Sequence, residues 1–522
     1  MNRKNTLEQL EKPSEVWDII IIGGGATGLG SAVDAASRGY KTLLVEQDDF
    51  TKGTSSRSTK LIHGGVRYLE QGNLALVLEA LKERGLLVKN APHLVKNLSF
   101  IIPSYSYWKT FYFTIGLKLY DLLAMKYSFG KSTVISKLQT INSLPTIQVQ
   151  GLKNGIKYQD GQFDDSRLGI NLAQTCSDWG GFVINYCKVT GINKDLNQQI
   201  TGVQATDLIS GKEYSINAKV VINATGVFSD QIIQLDQPNA LKKIKPSQGT
   251  HIVLDKKFLP SEKALLIPKT DDGRVLFALP WHGKLLVGTT DVLVRESTLE
   301  PIPQEQEIQF ILNNLNKYLQ IKVSQQDILS VFTGLRPLAV NNSEQSKTKE
   351  ISRSHNIYLS PSGMISITGG KWTTYRKMAE DTVNKAIESG KIIKKKCRTF
   401  DLKIHGHMNQ LAGVPDYLKT YGSDAEKILE LAAKNPIYAN KIHQDYDFII
   451  AEIIWAVRYE MTMTTEDFLA RRIRLLFIDA QAAIDSAPIV ATFIAKELSY
   501  DLDWIENQIQ KFNIMASNYK LH

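Results

Sequence analysis

Residues 18 to 46 compress a strand, a glycine turn, a helix and a second strand into about thirty positions. Asp18-Ile19-Ile20-Ile21-Ile22-Gly23-Gly24-Gly25-Ala26-Thr27-Gly28 opens on four consecutive isoleucines. Such a run reads as a strand buried on both faces, as in a parallel sheet. Gly23, Gly25 and Gly28 satisfy G-x-G-x-x-G, Ala32, Ala35 and Ala36 give the following helix a small-residue face, and Gly39 ends it. The second strand, Thr42-Leu43-Leu44-Val45, stops at Glu46. Each part has a task. Gly23 makes the tight turn, Gly25 lets the backbone approach a pyrophosphate, and Gly28 lets the helix lie against the strand. The helix N-terminus, with Thr27 on it, faces the phosphates. Glu46 is 18 residues beyond Gly28, where an acid can accept hydrogen bonds from an adenosine ribose.

This unit alone admits NAD or FAD, and two later segments favour FAD. Val220-Val221-Ile222-Asn223-Ala224-Thr225-Gly226 is another buried strand, ending in small residues that let the chain pass close to a cofactor. Ile365-Ser366-Ile367-Thr368-Gly369-Gly370-Lys371-Trp372-Thr373-Thr374 reads as strand, glycine turn and helix start. It aims another helix N-terminus at an anion or a polarised ring. A cofactor domain assembled from separated stretches of chain, with a second domain inserted, is the layout of two-domain flavoenzymes.

Composition bounds the partners. The 522 residues suit about two to four domains. With 43% hydrophobic and 22% charged residues the chain is globular, not disordered. The net charge of +9 suits an anionic partner: nucleic acid, an anionic membrane surface or a phosphorylated small molecule. Cys176, Cys187 and Cys397 form neither a disulfide framework nor a zinc site, which points to a reducing, cytosolic-side compartment. The polar N-terminus lacks the apolar core of a secretory signal, and no uncharged apolar stretch reaches membrane-spanning length. From Tyr105 to Lys131, Trp108, Phe111, Phe113 and five tyrosines alternate with Lys109, Lys118, Lys126 and Lys131. That mixture fits a membrane-surface segment; a helix packed on the core is the competing reading. No nucleic-acid module accompanies it, so no nucleic-acid partner is expected.

The expected fold class is α/β: a Rossmann-like FAD-binding domain with an inserted antiparallel-sheet substrate domain and a C-terminal helical domain. A polar tail covers 1–16. The FAD-binding domain takes 17–90, 150–244 and 336–395, and the substrate-binding domain 91–149 and 245–335. A helical cap takes 400–522, after the basic linker Lys391–Lys396. Short strands are expected near 265–268, 275–280 and 285–288, with a hairpin at Asp271-Asp272-Gly273. Helices are expected at 302–318, 447–461 and 467–477, the last opened by a capping pair of Thr464 and Asp467. His405-Gly406-His407 reads as linker, and no metal is expected.

Thr54-Ser55-Ser56-Arg57-Ser58-Thr59-Lys60-Leu61-Ile62-His63-Gly64-Gly65-Val66-Arg67-Tyr68-Leu69 resembles the FAD-dependent, quinone-linked glycerol-3-phosphate dehydrogenases. The resemblance continues through Gly249-Thr250-His251, Val287-Gly288-Thr289-Thr290-Asp291, Thr333-Gly334-Leu335-Arg336-Pro337 and Gly369-Gly370-Lys371-Trp372, and reaches Asp467–Leu475. It implies oxidation of sn-glycerol 3-phosphate to dihydroxyacetone phosphate by hydride transfer to FAD, with electrons passed to a membrane quinone. The enzyme would lie peripherally on the inner, cytoplasmic face of the cell membrane. The oxygen-using glycerol-3-phosphate oxidase shares most motifs; the short connection between Arg336 and Arg353 favours the dehydrogenase. A flavin-binding module without catalysis is the third reading. A homodimer stays open.

Within that reading Arg336, Arg353, Lys371 and Arg67 are candidates for the substrate phosphate, because guanidinium offers a planar fork and ammonium a point charge. Arg57 and Arg376 are expected on solvated faces or in surface ion pairs. His251 is the first candidate for the base, since imidazole titrates near working pH; a hydrogen-bonded core histidine is the alternative. Tyr68 is a second polar contact to substrate, and His63 is expected along the flavin. Thr54, Ser55, Ser58 and Thr59 would hydrogen-bond cofactor oxygens, Lys60 would offset the pyrophosphate, and Ala224, Gly226, Gly370 and Thr373 would border the cofactor.

Overall fold

A computed structural model describes residues 1–12, 15–65, 73–339 and 355–521. The isoleucine run lies in the strand Val16–Ile22, with Ile19, Ile20 and Ile21 wholly buried. This strand runs parallel to Thr42–Val45 on one side and Glu213–Asn223 on the other. The sheet continues outward to Phe182–Ile184 at one end, and to Ile365–Gly369 and His355–Leu359 at the other. The helix Ala26–Ser37 packs closely on the helix Tyr375–Glu388: a Cβ at Gly30 would meet Tyr375 Cδ2 at 2.8 Å. Gly39, at φ +80°, turns the chain into the second strand.

The second sheet is mostly antiparallel. Ile244–Asp255 and Ile328–Ala339 pair along most of their lengths, Gly249 opposite Gly334 and His251 opposite Phe332. Lys284–Gly288, Leu276–Trp281 and Ala264–Ile267 extend this sheet, and the turn holding Gly273 joins the last two. The expected helix near 302–318 is Glu305–Asn316. The C-terminal region packs on the same sheet, with the rings of Phe332 and Phe477 edge to face at 4.8 Å.

Several expectations need correction. The first residues are not a featureless tail: Arg3–Leu10 is a helix capped by Asn2, with Leu10 buried and Arg3 paired to Asp207. The boundary at residue 150 falls too early, because Asn154–Phe163 pairs antiparallel with Val95–Ser104 in the second sheet. Its alternating Ile156-Lys157-Tyr158-Gln159 is the pattern of such a strand, not of a buried parallel one. The helix expected at 467–477 opens as foreseen, Thr464 accepting from the Asp467 N–H at 3.2 Å and Asp467 from the Thr464 N–H at 3.0 Å. It then breaks: a π-turn, Asp467–Arg472, gives way at Arg474, whose φ is +67°. Arg474 donates to the carbonyl of Ser56 at 2.6 Å and to that of Ala470 at 2.9 Å. His405 is no loose linker residue either. Its ring bridges Asp178 at 2.7 Å and Asp424 at 2.8 Å, and despite burial, which lowers it, these carboxylates raise its pKa to about 9.

Candidate functional site

A cavity of about 400 Å³ lies where the two sheets meet. At one end is the glycine turn. A Cβ on Gly28 would sit 1.8 Å from the Gly23 carbonyl oxygen, and one on Gly23, at φ +109°, would sit 2.8 Å from that of Ala224. Strand, helix and the 224–226 turn therefore close up only without side chains here. Gly25, Ala26, Thr27, Thr54, Ser55 and Gly226 border the opening beside this turn. Ser55 Oγ accepts from the Ala26 N–H at 2.9 Å, tying the Ser/Thr loop to the helix start. Glu46 also faces the cavity; burial pushes its pKa up to about 7, while the N–H groups of Asp48 and Gly24 bond its carboxyl. Glycine cradle, helix N-terminus, hydroxyl loop and terminal acid together fit the pyrophosphate and ribose of FAD.

The other end lies on the second sheet. His251, Gly249 and Ser247 alternate on one face of Ile244–Asp255, and their partners Phe332, Gly334 and Arg336 share that face. The facing pair Gly249 and Gly334 makes a glycine floor between His251 and Arg336, all four on the cavity; the Arg336 guanidinium lies close over Gly249 and Arg57 close over Gly334. Their registers are four strand residues apart, about 13 Å. A Cβ on Gly249 would meet the Arg336 guanidinium at 2.5 Å. Arg336 Nη2 donates to Thr289 Oγ1 at 3.2 Å and to the Thr290 carbonyl at 3.1 Å, and Asp291 lies 3.5 Å from Nη1. The side chain keeps 30% of its surface exposed, so the fork is oriented and still accessible.

His251 is buried, its ring stacked on Phe332 at 4.9 Å and its Nε2 2.9 Å from Thr59 Oγ1. Burial, then the charges of Lys60 and Arg336, hold its pKa well below the ordinary imidazole value. The ring is therefore neutral, and the same surroundings make it a weaker base than a free imidazole. His63, Gly370, Lys371 and Thr373 line the cavity with Ala224 and Gly226. The indole N–H of Trp372 donates to the Ser55 carbonyl at 2.9 Å, joining the 370s turn to the Ser/Thr loop.

Other residues stand elsewhere than expected. Lys60 is fully buried and does not border the cavity. It donates to Asp165 at 2.7 Å and the Ser56 carbonyl at 2.8 Å, so its charge is neutralised behind the wall. Burial brings its pKa down to about 7. Ser58 borders the cavity, but its hydroxyl bonds Asp165 at 2.7 Å. Arg57 and Arg376 are buried, not solvated: Arg57 pairs with Glu300 at 2.6 Å and Arg376 with Glu83 at 2.7 Å. Arg67, Tyr68 and Arg353 lie outside the described residues.

The sequence reading missed the brace behind the wall. Asp49 takes Arg471 at 2.5 Å and Arg472 at 2.7 Å, while Asp165 takes Lys60 and Arg474. These pairs clamp the loop after Glu46 and the Ser/Thr loop to the C-terminal region. The paired arginines of Ala470-Arg471-Arg472-Ile473-Arg474 were the available signal, since three basic residues in an otherwise apolar stretch demand buried partners.

The chain matches the family described as "FAD dependent oxidoreductase" over residues 18–376, and "C-terminal domain of alpha-glycerophosphate oxidase" over 365–504. It is 39% identical to the mitochondrial glycerol-3-phosphate dehydrogenase of Homo sapiens, over 99% of this chain and 76% of that protein. To the mitochondrial glycerol-3-phosphate dehydrogenase of Saccharomyces cerevisiae it is 38% identical, over 98% of this chain and 90% of that one. Among solved structures, the glycerol-3-phosphate dehydrogenase from Bacillus halodurans complexed with FAD superimposes with a TM-score of 0.81 at 28% identity. That match covers 99% of this chain and 98% of the other. The α-glycerophosphate oxidase of Mycoplasma pneumoniae shares the fold at a TM-score of 0.56 and 16% identity, over 74% of this chain and 97% of that one. With the glycine cradle, the floor between His251 and Arg336 and full-length similarity in agreement, the chain belongs to the FAD-dependent glycerol-3-phosphate dehydrogenase family.

Proposed function

We propose that this chain oxidises sn-glycerol 3-phosphate to dihydroxyacetone phosphate and delivers the electrons to a membrane quinone, working peripherally at the cytoplasmic face of the cell membrane. The observation that carries the reading is the placement of His251 and Arg336 on one sheet face, across the glycine floor from each other and beside the dinucleotide cradle. Arg336 holds the substrate phosphate, its fork aimed by Thr289 and Thr290. Lys371, across the same cavity, adds a point charge. His251 takes the C2 hydroxyl proton at Nε2, after Thr59 turns away from that atom. Bound FAD supplies the hydride acceptor. Arg67, Tyr68 and Arg353 are proposed as further substrate contacts. In this reading the first sheet carries the cofactor, the second the substrate, and the region from 400 to 522 caps both.

Anaerobic titration with glycerol 3-phosphate tests the reading: the flavin absorbance should bleach, and a spectrum that stays oxidised overturns it. The oxidase alternative draws on the match of the C-terminal region to that of a glycerophosphate oxidase. Peroxide formed in air, compared with reduction of a soluble quinone analogue, separates the two; stoichiometric peroxide would replace the dehydrogenase by the oxidase.

A further inference from the structure

The helix Tyr107–Ala124 is anchored along one side only. Thr110, Leu117, Tyr120 and Ala124 face inward, and the Tyr120 hydroxyl donates to Asp160 at 2.9 Å and accepts from the Gly64 N–H at 2.8 Å. The opposite side carries Trp108, Phe111, Tyr112, Ile115, Leu119 and Leu122, from 42% to 73% exposed. At 100° per residue these six fall in one continuous stripe. A helix on the surface of a globular protein ordinarily turns polar residues outward. Here both sides are apolar, and the outer one has no protein against it among the described residues.

The charge around the stripe is one-sided. Between Tyr105 and Leu138 there are five lysines and a single acid, Asp121. The Asp121 carboxylate is turned to the Ser132 N–H and hydroxyl, at 2.6 and 2.9 Å. Lys109, Lys118, Lys126 and Lys131 are exposed. Aromatic rings that sit at headgroup level, flanked by lysines that meet lipid phosphates, are the means by which a helix lies in a membrane interface. The helix is about 27 Å long, and no helix among the described residues is long and apolar enough to cross a membrane.

We infer that the outer face of Tyr107–Ala124 is the surface by which this protein docks on an anionic lipid bilayer, the helix lying in the plane of the headgroups. Charge argues against a second copy of the chain as the occupant. A twofold contact through this stripe would set its lysines against their own images. The assignment rests on the membrane-linked reading above and names the surface that reading requires.

The test is flotation of the flavin-loaded protein with vesicles of phosphatidylglycerol and phosphatidylcholine in equal parts, and with phosphatidylcholine alone. The protein should float with the mixed vesicles, much less with the neutral ones, and less at high salt. The double variant Trp108→Glu/Phe111→Glu alters exposed positions only, and its vesicle partition should fall at least about tenfold. Its flavin content and its glycerol 3-phosphate oxidation with a soluble acceptor should not change. The triple variant Lys109→Glu/Lys118→Glu/Lys126→Glu should lose the preference for anionic lipid. The assignment is overturned if the wild type fails to float, if the aromatic double variant floats as well as the wild type, or if that variant converts a dimer to a monomer. The two readings separate cleanly. Vesicle binding without flavin bleaching removes the proposed activity and keeps the docking face; bleaching without vesicle binding does the reverse.

Discussion

Thr59 Oγ1 lies 2.9 Å from His251 Nε2 across the junction of the two sheets, so the hydroxyl loop beside the cofactor cradle touches the ring proposed as base. Burial keeps that ring neutral, with its basic nitrogen unprotonated, and disfavours the imidazolium. His251→Asn keeps a polar group of similar reach but removes the basic nitrogen. The variant should retain its flavin spectrum and lose about 10²- to 10⁴-fold in kcat. Stopped-flow flavin reduction measures this directly; an unchanged rate would return His251 to the role of a core histidine.

Arg336 is held by Thr289 and Thr290 with its fork open to the cavity. A charged hydrogen-bonding group of this kind contributes about 1.5–3 kcal/mol. Arg336→Gln should therefore raise KM for glycerol 3-phosphate roughly 10- to 100-fold with flavin still bound, and Arg336→Glu should abolish saturation. Steady-state kinetics decides it: an unchanged KM moves the phosphate site elsewhere.

The floor makes its own prediction. A methyl group on Gly249 would meet the Arg336 guanidinium at 2.5 Å. Gly249→Ala should push the fork off its threonine supports and raise KM, leaving flavin content intact. Gly28→Ala, whose Cβ would collide with the Gly23 carbonyl at 1.8 Å, should instead cost flavin binding. Flavin absorbance per protein and KM, measured on both variants, should move in opposite patterns.

The cofactor half of the site was legible because its parts are local. Ile19 to Glu46 carries strand, turn, helix and acid within one stretch, and each residue type has a single physical reason to be there. The substrate half was legible only as residue names. His251 and Arg336 stood out as chemistry, but their common face depends on the register between two strands some eighty residues apart. Lys60 misled for the same cause. A lysine beside a phosphate cradle suggests the phosphate, whereas Asp165, the partner that takes its charge, is distant in sequence. The break at Arg474, whose side chain reaches Ser56, is likewise something no helical period reveals.

His405 predicts a pH dependence of stability. Its folded pKa of about 9 stands above the ordinary 6.5. Its bridge to Asp178 and Asp424 therefore stabilises fully below about pH 6.5 and is lost as pH rises through about 9. The contribution is on the order of 3 kcal/mol. Thermal unfolding of His405→Gln should show a smaller fall in Tm than the wild type between pH 6.5 and 9. Parallel curves would mean the bridge carries no net stability.

Asp49 receives two guanidiniums in a fully buried setting. Asp49→Ala would leave both without that partner and should cost about 3–5 kcal/mol, read as a lowered unfolding midpoint. A midpoint equal to the wild type's would show that the clamp is dispensable.

That clamp bears on how the protein is made. The loops from Asp49 to Lys60 that edge the cofactor cradle are held by Arg471, Arg472 and Arg474, which leave the ribosome more than four hundred residues later. A nascent chain that has already synthesised every glycine of the cradle still lacks the groups that set its rim. The rim can take its final form only when translation is nearly finished, and a chain truncated before residue 471 should carry less flavin per protein than the full chain.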